Sequence, residues 1–309
     1  MWRCSCAVTD SAGLLRALAV PRLIGTVNHT NIRERLKREL TARGMLVEEH
    51  AFSGRPSRML FGTPSLVHGV NLIGHRPLRF AQGGLSGRQA DRPSVWLAAH
   101  YDSKGQPISM ATRILAAAAL VVGAVGAAWT LIPSLAVLAV GLAILAANRV
   151  TDKSSGALDN ATGLVAILAI LDALPKGADV GVLFLDAEEY GLVGARALVT
   201  DRSALLAGAA VINFDGLDDL GGTIALLHRP GPIGRAVAAE LGAFQGRWVP
   251  VIVDGSALAR APVRECVSIM KGDWGTARVV HTPRDTAERL TLDGVRHVAA
   301  GVARALGSA

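Results

Sequence analysis

The stretch ADVGVLFLDAEEYGLVGARAL, residues 178–198, decides the fold. Its first eight residues, apolar but for Asp179, make a run of strand length, and an acidic pair, Glu188 and Glu189, follows after Asp186 and Ala187. A helix is expected from about Glu189 to Leu198. A buried strand that ends in ionisable residues and passes into a helix is the unit of an α/β domain, in which functional groups gather beyond the carboxyl ends of the strands. The same grammar recurs on both sides. Residues 95–99 are an apolar run ending directly in His100, and residues 209–214 are another ending at Asp215. Residues 45–52, 70–73, 223–227 and 263–270 read as further strands. Helices are expected over 31–43, where Ile32, Leu36 and Leu40 recur every four residues before Gly44, and over 160–174, 233–241 and 292–306. Strands alternating with helices predict an α/β class fold, a three-layer α/β/α domain.

Composition is compatible with that class. Of 309 residues, 50% are hydrophobic and 18% charged, enough apolar material for a sizeable core. The formal charge of +7 comes mostly from Arg scattered along the chain, without an aromatic-interleaved basic run, so no nucleic acid partner is expected. Three cysteines, Cys4, Cys6 and Cys266, imply no disulfide framework. The N-terminus shows no secretory signal, because the apolar stretch 14–20 is short and interrupted by Arg16.

The mean hydropathy of +0.36 is high, and residues 114–147 carry much of it. They hold no charged residue, and Pro133 lies near their middle. The segment fits two short helices joined around residues 130–134. The expected organisation is therefore residues 1–108 and 151–309 as one catalytic domain, interrupted by a hydrophobic hairpin at 109–150. A membrane-spanning hairpin is the favoured reading. An even number of crossings keeps His100 and Asp159 on one side. The flanking Lys104, Arg113, Arg149 and Lys153 place that side in the cytoplasm, at the cell inner membrane. A shallow re-entrant insertion and a buried or dimerising hairpin are the other readings.

Taken singly, an Asp after a strand reads as a turn or cap, and a Glu pair at a helix start serves the helix dipole. Taken together, His100, Asp159, Glu188, Glu189, Asp215 and His281 form a coherent ligand set. Zinc takes imidazole nitrogen and carboxylate oxygen, and one carboxylate left over can act as a general base.

Five blocks then resemble a known family: AHYDS (99–103), GALDNATG (156–163), FLDAEEYGLVGAR (184–196), NFDG (213–216) and HTPRDT (281–286). They look like the signature blocks of the co-catalytic zinc aminopeptidases, which include bacterial leucyl-type aminopeptidases, glutamate carboxypeptidases and glutaminyl cyclases. The segment 20–40 is similar to their N-terminal entry helix. The resemblance covers nearly the whole chain except 114–147, and it implies a mixed central sheet and two zinc ions. It implies that His100 and Asp215 hold one zinc, that Glu189 and His281 hold the other, and that Asp159 bridges them. Glu188 would be the general base, Asp102 would hold the His100 ring, and Asp285 would order the His281 loop. The substrate implied is a peptide with a free N-terminus. Val280 stands where some members carry Tyr before the final His. The stretch HYDSK, residues 100–104, also looks like the block of the one-zinc glutaminyl cyclases, which makes cyclisation an alternative. A non-catalytic membrane scaffold that keeps the fold is another. Specificity is expected from loops at 219–229 and 249–261.

Overall fold

A computed structural model describes residues 10–57, 61–76, 92–247 and 251–307. Eight strands form one mixed sheet: β1 (Leu46–Gly54), β2 (Val67–His75), β3 (Val95–His100), β4 (Val180–Leu185), β5 (Ala210–Leu217), β6 (Gly222–Arg229), β7 (Phe244–Gly246) and β8 (Glu265–Gly272). Their order is β1-β2-β4-β3-β5-β8-β6-β7. The four central strands β4, β3, β5 and β8 run parallel, while β2 and β6 join them antiparallel. The centre is parallel because helices cover both of its faces, and every residue of β3 and β4 is buried accordingly.

Alternate residues feed two cores. Val95, Leu97 and Ala99 of β3 and Val182 and Phe184 of β4 pack with α1 (Ser11–Leu18), α2 (Val27–Ala42), α5 (Thr162–Ala173), α7 (Pro232–Glu240) and α10 (Asp293–Gly307). Two further helices, α3 (Met110–Gly126) and α4 (Leu131–Ala146), precede α5 and are described below. Trp96, Ala98, Leu183 and Leu185 point the other way, onto α6 (Val193–Arg202) and α8 (Asp254–Leu258). Each fully buried Leu or Phe in these clusters is worth roughly 1.5–3 kcal/mol relative to exposure. Gly181 makes room for Trp96, since a Cβ there would lie 2.5 Å from the ring carbon Cε3. The α/β class and the three layers expected from the sequence are what the chain adopts.

Two boundaries differ from expectation. The helix expected to begin at Glu189 is a single 3-10 turn, Glu188–Tyr190, and α6 starts only at Val193. Gly191 and Leu192 sit at φ 92° and 60°, in the left-handed region that breaks a right-handed helix. Residues 14–18, read as no element, lie in α1, whose buried face is Leu14, Leu15 and Leu18.

Residues 114–147 do form two helices, but not membrane spans. Helix α3 has 17 residues and α4 has 16. At 1.5 Å per residue each is roughly 25 Å long, short of the hydrocarbon core of about 30 Å. Among the described residues no helix is long and apolar enough to cross a membrane. The expected transmembrane hairpin is therefore corrected, and the orientation argument falls with it. The joint also lies earlier than expected, with Pro133 inside the first turn of α4, where a missing N–H is tolerated. The two helices approach closely at small residues: Gly123 faces Leu138 and Ser134, and Gly141 faces Ala116 and Leu120. Their base is tied by reciprocal hydrogen bonds between Gly105 and Thr151, 2.7 and 2.8 Å.

Candidate metal centre

The parallel register brings the strand ends to one edge. Val95 of β3 aligns with Val180 of β4 and with Ala210 of β5, so His100 lies beside Leu185, just before the Asp186–Glu189 turn. Asp215 lies where the β5 register against β8 becomes irregular, between Phe214 and Leu217. Asp159 and His281 arrive on loops. The first sits in the turn Ala157–Ala161 that feeds α5, and the second is held at φ 65°.

Asp159 is the centre of the arrangement. Its Oδ1 lies 3.0 Å from His100 Nε2, and its Oδ2 lies 2.9 Å from His281 Nε2. His281 Nε2 is also 3.0 Å from Glu189 Oε1. Two groups of potential ligand atoms follow, His100–Asp159–Asp215 and Asp159–Glu189–His281, with the atoms of each group within 4.8 Å of one another. The donor types and burial suit zinc, which takes imidazole and carboxylate in tetrahedral sites. The structure thus brings all five expected ligands together, with Glu188 buried on the same cavity wall.

Neighbouring side chains fix the set. Asp102 Oδ1 is 3.4 Å from His100 Nδ1, and its carboxylate accepts hydrogen bonds from the backbone N–H groups of Glu188 and Glu189, both at 3.2 Å. It therefore orients one ligand ring and the Glu188–Glu189 turn together. Asp285 joins two loops. Its backbone N–H donates to Thr282 O at 3.0 Å within the His281 loop, and its carboxylate accepts from Leu158 N at 2.7 Å and Asp159 N at 3.3 Å, so it also holds the shared carboxylate. Arg22, fully buried, donates to the carbonyl oxygens of Tyr101 and Gly156 and pins the glycine turn ahead of Asp159. Asn160 Nδ2 donates to Phe214 O at 2.7 Å, tying that loop to β5.

The electrostatics are those of a cation site. Burial would raise the Asp159 pKa, but hydrogen bonds from His100 and His281 hold it well below the usual range. Burial likewise opposes ionisation of Glu189, yet His281 and Lys104 bring it down to about 2. Asp215 goes the other way: burial and the charge of Asp159 push it well above the carboxylate range. Burial disfavours an imidazolium at His100, and Asp102 and Asp159 outweigh it, so its pKa lies well above the usual value. At His281 burial is again outweighed by Glu189, which favours charge. The geometry opposes this, because Arg113 Nη2 lies 2.9 Å from Nδ1. An arginine donor fits only a ring with a lone pair there, so the metal-free ring carries its proton on Nε2, whereas a ring holding zinc through Nε2 would carry it on Nδ1 and turn the Arg113 donor away. Carboxylates crowded by like charge until one is forced neutral are relieved by divalent cations.

Three residues at this edge escaped the sequence reading. Lys104, read as a flanking charge and as the end of the HYDSK block but given no role at the site, is 1% exposed and pairs with Glu189. Arg113 reaches His281 from α3. Asp254, the first residue of α8, is 1% exposed, and among the described residues neither of its carboxylate oxygens has a hydrogen-bond partner. Burial and the charge of Glu188 push its pKa well above the usual range. The sequence signals were weak: an Asp at a helix start reads as a dipole residue.

The site opens into a cavity of about 620 Å³. Met110, Ile114 and Ala117 of α3 form one wall, and Ile224, Met270 and Val280 stand among the others. Of the loops expected to shape specificity, Ile224 and residues 251–253 do line it, and residues 249 and 250 lie outside the described segments.

Comparisons with known proteins bear on this geometry. The model of peptidase family M28 matches residues 83–306. A search of curated proteins finds no significant match. Among solved structures, the glutaminyl cyclase of Porphyromonas gingivalis is similar with a TM-score of 0.64 and 17% identity, over 96% of this chain and 96% of that one. The zinc aminopeptidase BSAP from Bacillus subtilis is similar with a TM-score of 0.64 and 12% identity, over 96% and 94%. The aminopeptidase of Aneurinibacillus sp. strain AM-1 gives 0.62 and 12%, over 97% and 93%. At these identities the structural likeness establishes the fold.

Proposed function

The chain belongs to peptidase family M28, and on that premise we propose that it is a zinc-dependent aminopeptidase with two zinc ions per chain, releasing the first residue of peptides with a free N-terminus. The observation that carries this reading is the position of Asp159, whose two oxygens face His100 and His281 separately. One carboxylate is shared between two ligand groups, each completed by a further carboxylate, Asp215 or Glu189. A site for a single ion needs only one of these groups.

Zinc held by these residues supplies an acidified water and an electrophile for the scissile carbonyl. The chain's own groups do the rest. Glu188 belongs to neither ligand group yet lines the same cavity, so its carboxylate takes the proton from the attacking water and returns it to the leaving amine. Asp102 sets the Glu188 position through the backbone N–H at 3.2 Å. The acidic surroundings favour a protonated substrate amine at the chain end, and the apolar walls favour an apolar side chain.

A second reading is glutaminyl cyclisation, favoured by Asp254. Cyclisation moves a proton from the attacking α-amine to the departing ammonia without consuming water. A carboxylate base beside a second carboxyl whose neutral form is favoured is suited to that transfer, and burial together with the charge of Glu188 favours the neutral form of Asp254. Mass spectrometry of a peptide pool with free, acetylated and Gln-initiated amino termini, after incubation with the zinc-loaded protein, separates the two. Loss of one residue from free ends supports the aminopeptidase. Loss of ammonia from Gln ends supports the cyclase, and an unchanged pool contradicts both.

A further inference from the structure

Helix α3 presents two different faces. Val121, Val122 and Val125 are exposed, whereas Met110, Arg113, Ile114 and Ala117 line the cavity. The second set has the spacing i, i+3, i+4, i+7 and forms one continuous face. Arg113 is the single charged residue of α3 and α4 together. Its Nη2 lies 2.9 Å from His281 Nδ1, on the ring edge opposite the Nε2 that faces Asp159 and Glu189. The guanidinium therefore stands one imidazole breadth beyond the ligand atoms, at the edge of the same cavity. Lys271, also on the cavity wall, has its ammonium taken by the carbonyl oxygens of Asp219, Leu220 and Gly221 at 2.8, 3.1 and 3.0 Å.

Resting on the peptidase reading, we propose that Arg113 is a specificity-determining residue that selects peptides bearing a carboxylate next to the scissile bond. A guanidinium carries five N–H donors in a planar fork; Arg113 directs one on Nη2 to His281 Nδ1, and a ring that holds zinc through Nε2 would carry its own proton there and turn that donor toward a substrate carboxylate. The apolar neighbours Met110 and Ile114 lower the local polarity and so strengthen such a pair. The reach is appropriate. With the scissile carbonyl at the ligand atoms, a carboxylate on the following residue lies about one Cα step, about 3.8 Å, further along the chain. That group is either the free C-terminus of a dipeptide or the side chain of an acidic second residue. The chemistry is the same in both, and the substrate class is a short peptide with an apolar first residue and a carboxylate directly after it.

The test uses the zinc-loaded full chain with Leu-Ala, Leu-Ala-amide and Leu-Asp-amide, in wild type, Arg113→Met and Arg113→Lys. Wild type is expected to prefer a carboxylate substrate over Leu-Ala-amide in kcat/KM by roughly tenfold or more, mainly through KM. Preference for Leu-Ala assigns the terminal carboxylate, and preference for Leu-Asp-amide assigns the side chain. Arg113→Met is expected to collapse the ratio, and Arg113→Lys to keep part of it. A wild-type ratio near one overturns the proposal. So does an equal loss on all three substrates in Arg113→Met, which would mark an effect on His281 alone. If no peptide is hydrolysed, the peptidase reading fails separately. Calorimetric binding of a reduced-bond Leu-Ala analogue and its amide then decides: tighter binding of the acid, lost in Arg113→Met, supports the proposal, and equal binding overturns it.

Discussion

Lys104 Nζ lies 2.9 Å from Glu189 Oε2 and 3.0 Å from the Glu189 carbonyl oxygen, with both side chains 1% exposed. A fixed ammonium is thus clamped onto one of the proposed ligands, sharing its charge with whatever cation the other oxygen meets.

The first prediction concerns that pair. Removing one partner of a buried ion pair costs about 3–5 kcal/mol. Lys104→Met should lower the Tm strongly in EDTA and much less with zinc, because the metal supplies the missing counter-charge. Thermal unfolding under both conditions checks this. Equal losses would mean that Lys104 and the metal do not share Glu189.

Glu188→Gln should reduce kcat by roughly a hundredfold to ten-thousandfold, the usual range for loss of a general base. Zinc content should be unchanged, since Glu188 is in neither ligand group. Steady-state kinetics with elemental analysis of the same preparation tests both halves. A variant that loses zinc would move Glu188 into the ligand set.

Asp285 gives a pH prediction. Burial pushes its carboxyl up to about 6 from 3.8, although the Leu158 and Asp159 N–H groups oppose the shift. The folded protein therefore binds this proton more readily than the unfolded chain. Its stabilising contribution is full below pH 3.8 and is lost as pH rises through about 6. In metal-free protein, the stability of wild type relative to Asp285→Asn should fall across that window. Urea unfolding at several pH values reads this. A difference that grows with pH would contradict the assignment.

Gly123 tests whether the hairpin shapes the site. A Cβ there would lie 2.8 Å from Leu138 Cγ and 3.1 Å from the Ser134 carbonyl oxygen, so Gly123→Val must push α3 and α4 apart. Overpacking of this kind costs about 1–3 kcal/mol. Because the first turns of α3 form a cavity wall, KM should rise while zinc content holds. A change in stability with unaltered KM would separate the hairpin from substrate binding.

Much of this was legible in the sequence, for physical reasons. The strands betray themselves as apolar runs because β3 and β4 are covered on both faces. His100 and the Glu188–Glu189 turn were conspicuous because they stand at or within three residues of the ends of such runs. Lys104, Arg22 and Asp254 were not, because burial of a charged residue is a tertiary property that no local pattern announces. The start of α6 was misplaced because Leu192 adopts a left-handed conformation without being glycine. Residues 114–147 misled in another way. The break into two helices was legible, but hydropathy weighs how apolar a segment is, and helices of 17 and 16 residues have the composition of a span without its length.

Asp159 is proposed to serve two ions at once, and zinc stoichiometry is the decisive measurement. After equilibrium dialysis against zinc and elemental analysis, wild type should hold two ions per chain and Asp159→Ala fewer than one. A single ion in wild type, retained when Asp159 is removed, would contradict the shared carboxylate and with it the two-metal reading.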